Sequence, residues 1–242
     1  MNARKIAIFV EGKTEYIFVR EFLCAWYEYN ADKVGIECYE FRAENANQVP
    51  YPFGHRDSDN FYLIYNVGND QSVISKMLKE HSRLQQSGFQ LIVGLNDMYC
   101  DEYHKAVQNR QIDIKVNERF ISMRKDIIRQ KGLEEVVKSH FAIMEVEAWF
   151  LGMYDFLSKL DVKLQPGLIM QELGIDITDD PEITYYHPAK RLDDIYQLAG
   201  KRYGKHESDI CAIISCFTKQ DYQNLMKSNK CQSFKNFVND IV

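Results

Sequence analysis

Five carboxylates fall where an α/β protein keeps its chemistry: Glu11, Glu15, Asp97, Glu145 and Glu147. Glu11, Asp97 and Glu145 each sit at the end of an apolar run with the composition of a β-strand. Those runs are Lys5-Ile-Ala-Ile-Phe-Val10, Phe89-Gln-Leu-Ile-Val-Gly-Leu95 and His140-Phe-Ala-Ile-Met-Glu-Val146. Glu15 lies one helical turn beyond Glu11. Glu147 follows Glu145 by two residues, on the same face if the strand continues. Parallel strands place their carboxyl ends along one edge, so acids distant in sequence can meet there. Hard divalent cations such as Mg²⁺ take oxygen ligands and keep several waters. Carboxylates around such an ion, with phosphate completing its shell, suit phosphoryl transfer or nuclease chemistry.

The elements that must position these acids alternate between strand and helix. After the first strand Gly12 permits a tight turn and Thr14 can cap a helix. That helix is marked by Ile17, Phe18, Phe22, Leu23 and Trp26. A short strand is expected over 34–41, and the polar stretch 43–60, with Pro50, Pro52 and Gly54, reads as a loop. Phe61–Tyr65 reads as a strand and 71–86 as a helix. A polar helix follows over 113–130, and Glu147 opens another after the strand 140–146. This alternation predicts an α/β fold, a mainly parallel sheet with helices on both faces. The sheet domain is expected over 1–156, with a helical C-terminal extension over 157–242 packed on it.

Composition narrows the function. Apolar residues make up 45% and charged residues 27%, ordinary for a globular domain. A net charge of −5 supplies no global positive field for nucleic acid. Metal ions and local patches would have to carry phosphate contacts. The six cysteines show neither a CxxC pair nor zinc spacing, so they are expected as free thiols. No apolar segment has the length of a signal region or a membrane span, and the chain reads as cytoplasmic with no membrane partner.

Val10-Glu11-Gly12-Lys13-Thr14-Glu15 resembles the first motif of Toprim domains, the metal-binding α/β module of topoisomerases, primases and OLD-type (overcoming lysogenisation defect) nucleases. Nearly the whole chain is more closely similar to a bacterial Toprim-like family numbered as domain of unknown function 4276. The likeness runs through Asn66-Val-Gly-Asn-Asp-Gln71, Asp97-Met-Tyr99, Met144-Glu-Val-Glu-Ala-Trp149, Pro188-Ala-Lys-Arg-Leu192 and Cys231-Gln-Ser-Phe234. It implies a compact Toprim sheet holding Mg²⁺ or Mn²⁺. By that resemblance Glu11 and Glu15 bind a metal or move a proton, and Asp97 binds metal from the second motif. Glu145 or Glu147 completes the cluster. Lys190 steadies a phosphate or the charge of the transition state, with Arg191 as a neighbouring phosphate contact. Toprim domains usually carry Asp-x-Asp at the second motif, and Tyr99 stands at its third position here. A single tightly held metal, or a weak second site beside it, is therefore expected.

The resulting expectation is a metal-dependent nuclease or phosphodiester hydrolase of bacterial defence acting on DNA or RNA. The alternative is a non-catalytic module binding nucleic acid or a partner ATPase; a nucleotide hydrolase is a third, weaker reading. Other features carry less. Residues 187–206 hold five Lys/Arg against two Asp; there Lys190 and Arg191 suit a phosphate at a helix start, while Lys201, Arg202 and Lys205 read as a solvated helix face. Residues 110–138 mix eight Lys/Arg with five acids, an ordinary charged exterior. Asn66 and Gly68 read as turn formers, Trp149, Phe150 and Leu151 as core, and His187 as a loop residue. Glu11-Gly-Lys-Thr14 lacks the upstream glycine of a phosphate loop.

Overall fold

A computed structural model describes residues 3–69 and 72–242. Asp70 and Gln71, the end of the Asn66–Gln71 motif and the expected helix start, lie outside the described residues. The chain runs β1 (Arg4–Val10), α1 (Lys13–Trp26), β2 (Val34–Arg42), β3 (Asn45–Phe53), β4 (Asn60–Asn66), α2 (Ser72–Gln86), β5 (Leu91–Asp97), α3 (Asp101–Ala106), α4 (Ile114–Arg129) and β6 (Val137–Ala142). Helices follow: α5 (Glu147–Gly152), α6 (Phe156–Leu160), α7 (Pro166–Leu173), α8 (Pro181–Thr184), α9 (Pro188–Gln197), α10 (Glu207–Ile214), α11 (Lys219–Lys227) and α12 (Gln232–Ile241). Two compact units result. One holds the residues up to Asn96 with Glu118–Phe141 and Phe237–Val242; the other holds Asp97–Asn117 and Ala142–Asn236. All six cysteines are free thiols. No described helix is long and apolar enough to cross a membrane.

The first unit is the α/β sheet, ordered β3-β2-β4-β1-β5-β6. β1 runs parallel to both β4 and β5, and β2 runs parallel to β4. Ile6 to Val10 are buried on both faces, as a central parallel strand requires. On one face Ala7, Phe9, Leu63 and Tyr65 pack with Val73, Met77 and Leu84 of α2. Gly94 allows the close approach, since a Cβ there would lie 2.4 Å from the Met77 sulfur. On the other face the Tyr27 hydroxyl, just past α1, meets that of Tyr62 at 3.0 Å. The end of α12 is fastened here too. Arg4 donates to the Asp240 and Ile241 carbonyls, Tyr62 donates to Ile241, and His140 pairs with Asp240 at 2.8 Å.

Two elements differ from expectation. The polar stretch 43–60 is not all loop: Asn45–Phe53 forms an edge strand antiparallel to β2. Pro50 and Pro52 cannot donate to a ladder, which an edge strand tolerates and a central one does not. Its side chains are mostly exposed, so no apolar alternation announces it. The strand expected over 140–146 instead stops at Ala142. Met144 then takes a left-handed backbone (φ 64°), and the chain turns before Glu145.

The second unit is helical around a fully buried Trp149. Its indole N–H donates to Glu182 and Ser233 at 3.0 and 2.9 Å, and its ring meets Phe234 edge-on. Phe150 and Leu151 are equally buried.

Candidate metal centre

Asp97, Glu145 and Glu147 converge in the second unit. One oxygen from each lies within 4.8 Å of the others, and this is the group of potential metal ligands among the described residues. Glu145 and Glu147 are buried at 3% and 0% exposure. The backbone explains the meeting. Residues just past β5 continue alongside those past β6, with the Met98 N–H on the Ala142 carbonyl and the Tyr99 N–H on that of Met144. A left-handed backbone costs a non-glycine residue about 1–2 kcal/mol. At Met144 the buried side chain and the 2.7 Å bond from Tyr99 hold it there. The turn sends Glu145 and the first residue of α5, Glu147, to one place by a different route from strand alternation. Asp97 receives the Val146 N–H at 3.0 Å, joining both halves of the group.

Each buried carboxylate is oriented by named partners. Oε2 of Glu145 accepts from Nδ1 of His187 at 2.8 Å and from the Ala189 N–H at 2.9 Å. Ala189 lies in the first turn of α9, so the acid also meets the positive end of that helix. Lys205 Nζ donates to Oε1 of Glu145 at 2.8 Å and stands 3.2 Å from Oε1 of Glu147. The same Glu147 oxygen accepts from the Tyr203 hydroxyl at 2.8 Å. Its Oε2 is buried with no hydrogen-bond partner among the described residues.

These surroundings push the two glutamates apart. Burial acts to raise the Glu145 carboxyl, but the bonds from His187, Lys205 and Ala189 outweigh it and hold it below its ordinary value. Burial raises Glu147, and repulsion from Glu145 adds to it, against the pull of Lys205 and Tyr203. The two acids are thus shifted in opposite directions, Glu145 down and Glu147 up.

The sequence-predicted residues divide accordingly. Asp97, Glu145 and Glu147 come together. Glu11 and Glu15 belong to the sheet unit and are not members of the three-acid group. Glu11 follows β1 with its N–H on the Leu95 carbonyl. Glu15 is buried in the first turn of α1, and its Oε2 lies 3.1 Å from where a Cβ on Gly12 would sit, so glycine makes its room. Lys190, offered for phosphate, is 65% exposed and pairs with Asp194 at 2.8 Å. Arg191 meets the same aspartate and lies over the Tyr185 ring.

The cation at the acids is Lys205, assigned from sequence to a solvated helix face. It lies in an irregular segment before α10. His187 and Tyr203 are the other residues that sequence reasoning missed. A polar residue immediately before the α9 proline was the available signal for His187; Tyr203 and Lys205 offered none. Tyr99 stacks on the His187 ring at 4.4 Å and meets His104 edge-on at 4.3 Å. Its ring braces the histidine that orients Glu145.

Fold and site together define an α/β protein with an all-oxygen group able to hold a cation. The chain belongs to the family described as Domain of unknown function (DUF4276), which matches residues 10–242. No curated protein and no solved structure matches it.

Proposed function

We propose that the protein is a divalent-metal-dependent phosphodiester hydrolase of Toprim type, acting on DNA or RNA. The observation that carries this reading is the unpartnered, fully buried Oε2 of Glu147 within a three-carboxylate group. Leaving a buried carboxylate oxygen without a partner is costly, and a cation would satisfy it. The all-oxygen donor set suits Mg²⁺ or Mn²⁺. The three ligand oxygens all lie within 4.8 Å of one another.

Asp97, Glu145 and Glu147 would hold the ion, which when bound supplies an acidified water and neutralises charge on a leaving oxygen. His187 and the α9 N-terminus fix Glu145, and Tyr203 fixes Oε1 of Glu147 so that Oε2 faces the ion. Lys190 and Arg191, on the same unit as the acids, are assigned outer phosphate contacts.

A binding module without hydrolysis is the second reading. Tyr99 favours it, because a phenol ring stacked on His187 offers no carboxylate at the position of the missing acid. The test is titration calorimetry with Mn²⁺ on the wild type and Glu147→Gln, paired with cleavage assays on single- and double-stranded DNA and RNA. Binding that weakens at least tenfold in the variant, together with metal-dependent cleavage, is expected. Metal binding without cleavage of any substrate points to the module, and equal Mn²⁺ binding by both proteins refutes the assigned site.

A further inference from the structure

We propose that Lys205 is an internal counter-cation that occupies the acid group and must be exchanged for the incoming divalent ion. Lys205 therefore sets how tightly the protein holds its metal. The inference rests on the metal-binding reading above and adds a residue to it.

The geometry is that of competition. The ammonium shares itself between Oε1 of Glu145 and Oε1 of Glu147 at 2.8 and 3.2 Å. These are two of the three carboxylates a metal would need. A divalent ion meets this group with twice the charge of the ammonium. With Oε2 of Glu145 held by His187 and Ala189, Oε1 is the oxygen that acid has left for a metal, and Lys205 already occupies it.

The loop around Lys205 looks built to deliver it. The Tyr203 N–H bonds Asp193 at 2.9 Å, and the Gly204 and His206 N–H groups bond Asp209 at 2.9 and 3.2 Å. Lys205 itself is left-handed (φ 56°), a conformation that persists where surrounding contacts over-determine it. The backbone is thus anchored on both sides of Lys205. Its side chain is 37% exposed, so part of the stem lies at the surface while the ammonium sits against the two buried acids.

Two measurements decide the matter. Mn²⁺ titration of Lys205→Met, which keeps the stem and deletes the charge, is expected to show at least tenfold tighter binding than the wild type. Equal or weaker binding by a variant with native circular dichroism overturns the proposal. Wild-type binding with no gain in the variant leaves the metal site standing and removes only the role of Lys205; if neither protein binds, both readings fall. Amine-reactive labelling of the unaltered wild type, read by mass spectrometry at Lys205, covers a variant that does not fold. Labelling is expected to rise several-fold on adding saturating Mg²⁺, and an unchanged rate refutes the exchange.

Discussion

Tyr203 and Tyr196 form an internal contrast. Their rings pack edge to face at 6.0 Å, and both residues are 6% exposed. The Tyr203 hydroxyl donates to Glu147 at 2.8 Å, whereas the Tyr196 hydroxyl is buried without a partner among the described residues. Replacing tyrosine by phenylalanine removes one oxygen at each site and keeps the ring. At Tyr203 the loss is a hydrogen bond to a buried acid, worth about 1.5–3 kcal/mol. Glu147 would be left with less support at Oε1 and none at Oε2. At Tyr196 the deletion removes an unsatisfied polar group and is neutral or stabilising. For a chain of this size each kcal/mol moves the melting temperature by about 2–4 °C. Tyr203→Phe should therefore melt roughly 3–12 °C lower, and Tyr196→Phe at or above the wild-type temperature. Differential scanning calorimetry without added metal reads both. Equal melting temperatures for the two variants would refute the claim that Glu147 depends on Tyr203.

Two further predictions concern the sheet unit. The hydrogen bond from His140 holds the Asp240 carboxyl below its ordinary value. Its stabilisation is present above the unfolded value near 3.9 and is lost as the pH falls through the lower folded one. Asp240→Asn should lose less stability than the wild type between pH 6 and pH 3, read from urea midpoints; parallel acid limbs would contradict this. Ala43, between β2 and β3, sits at φ 54° with only its backbone engaged by Lys76. Ala43→Gly should stabilise by about 0.5–1 kcal/mol, the left-handed penalty less the entropy of glycine. A lower urea midpoint would count against that assignment.

The strand alternation and three of the five acids were legible in the sequence because apolar runs and their ends are local signals. Asp97 ends β5 as its run suggests. β3 was not legible, because an exposed edge strand needs no apolar face and can carry Pro50 and Pro52. Glu145 and Glu147 come together by a different route from the one the sequence suggests. Alternation along a strand suggested the pairing, and the left-handed turn at Met144 produces it. Lys190 attracted attention because it follows Pro188 at a helix start. The structure turns it outward and gives the acids Lys205, fifteen residues later. Nothing local distinguishes these two lysines; backbone N–H bonds to Asp193 and Asp209, one in each flanking helix, do.

The connections of α9 also bind the two glutamates to each other mechanically. Near its start the helix grips Glu145 through the Ala189 N–H, and one turn later Asp193 grips the Tyr203 backbone, whose hydroxyl grips Glu147. Glu145, this short rod, Tyr203 and Glu147 form a closed linkage. A pull on either carboxylate is felt by its twin, so the pair should yield or hold as a single jaw.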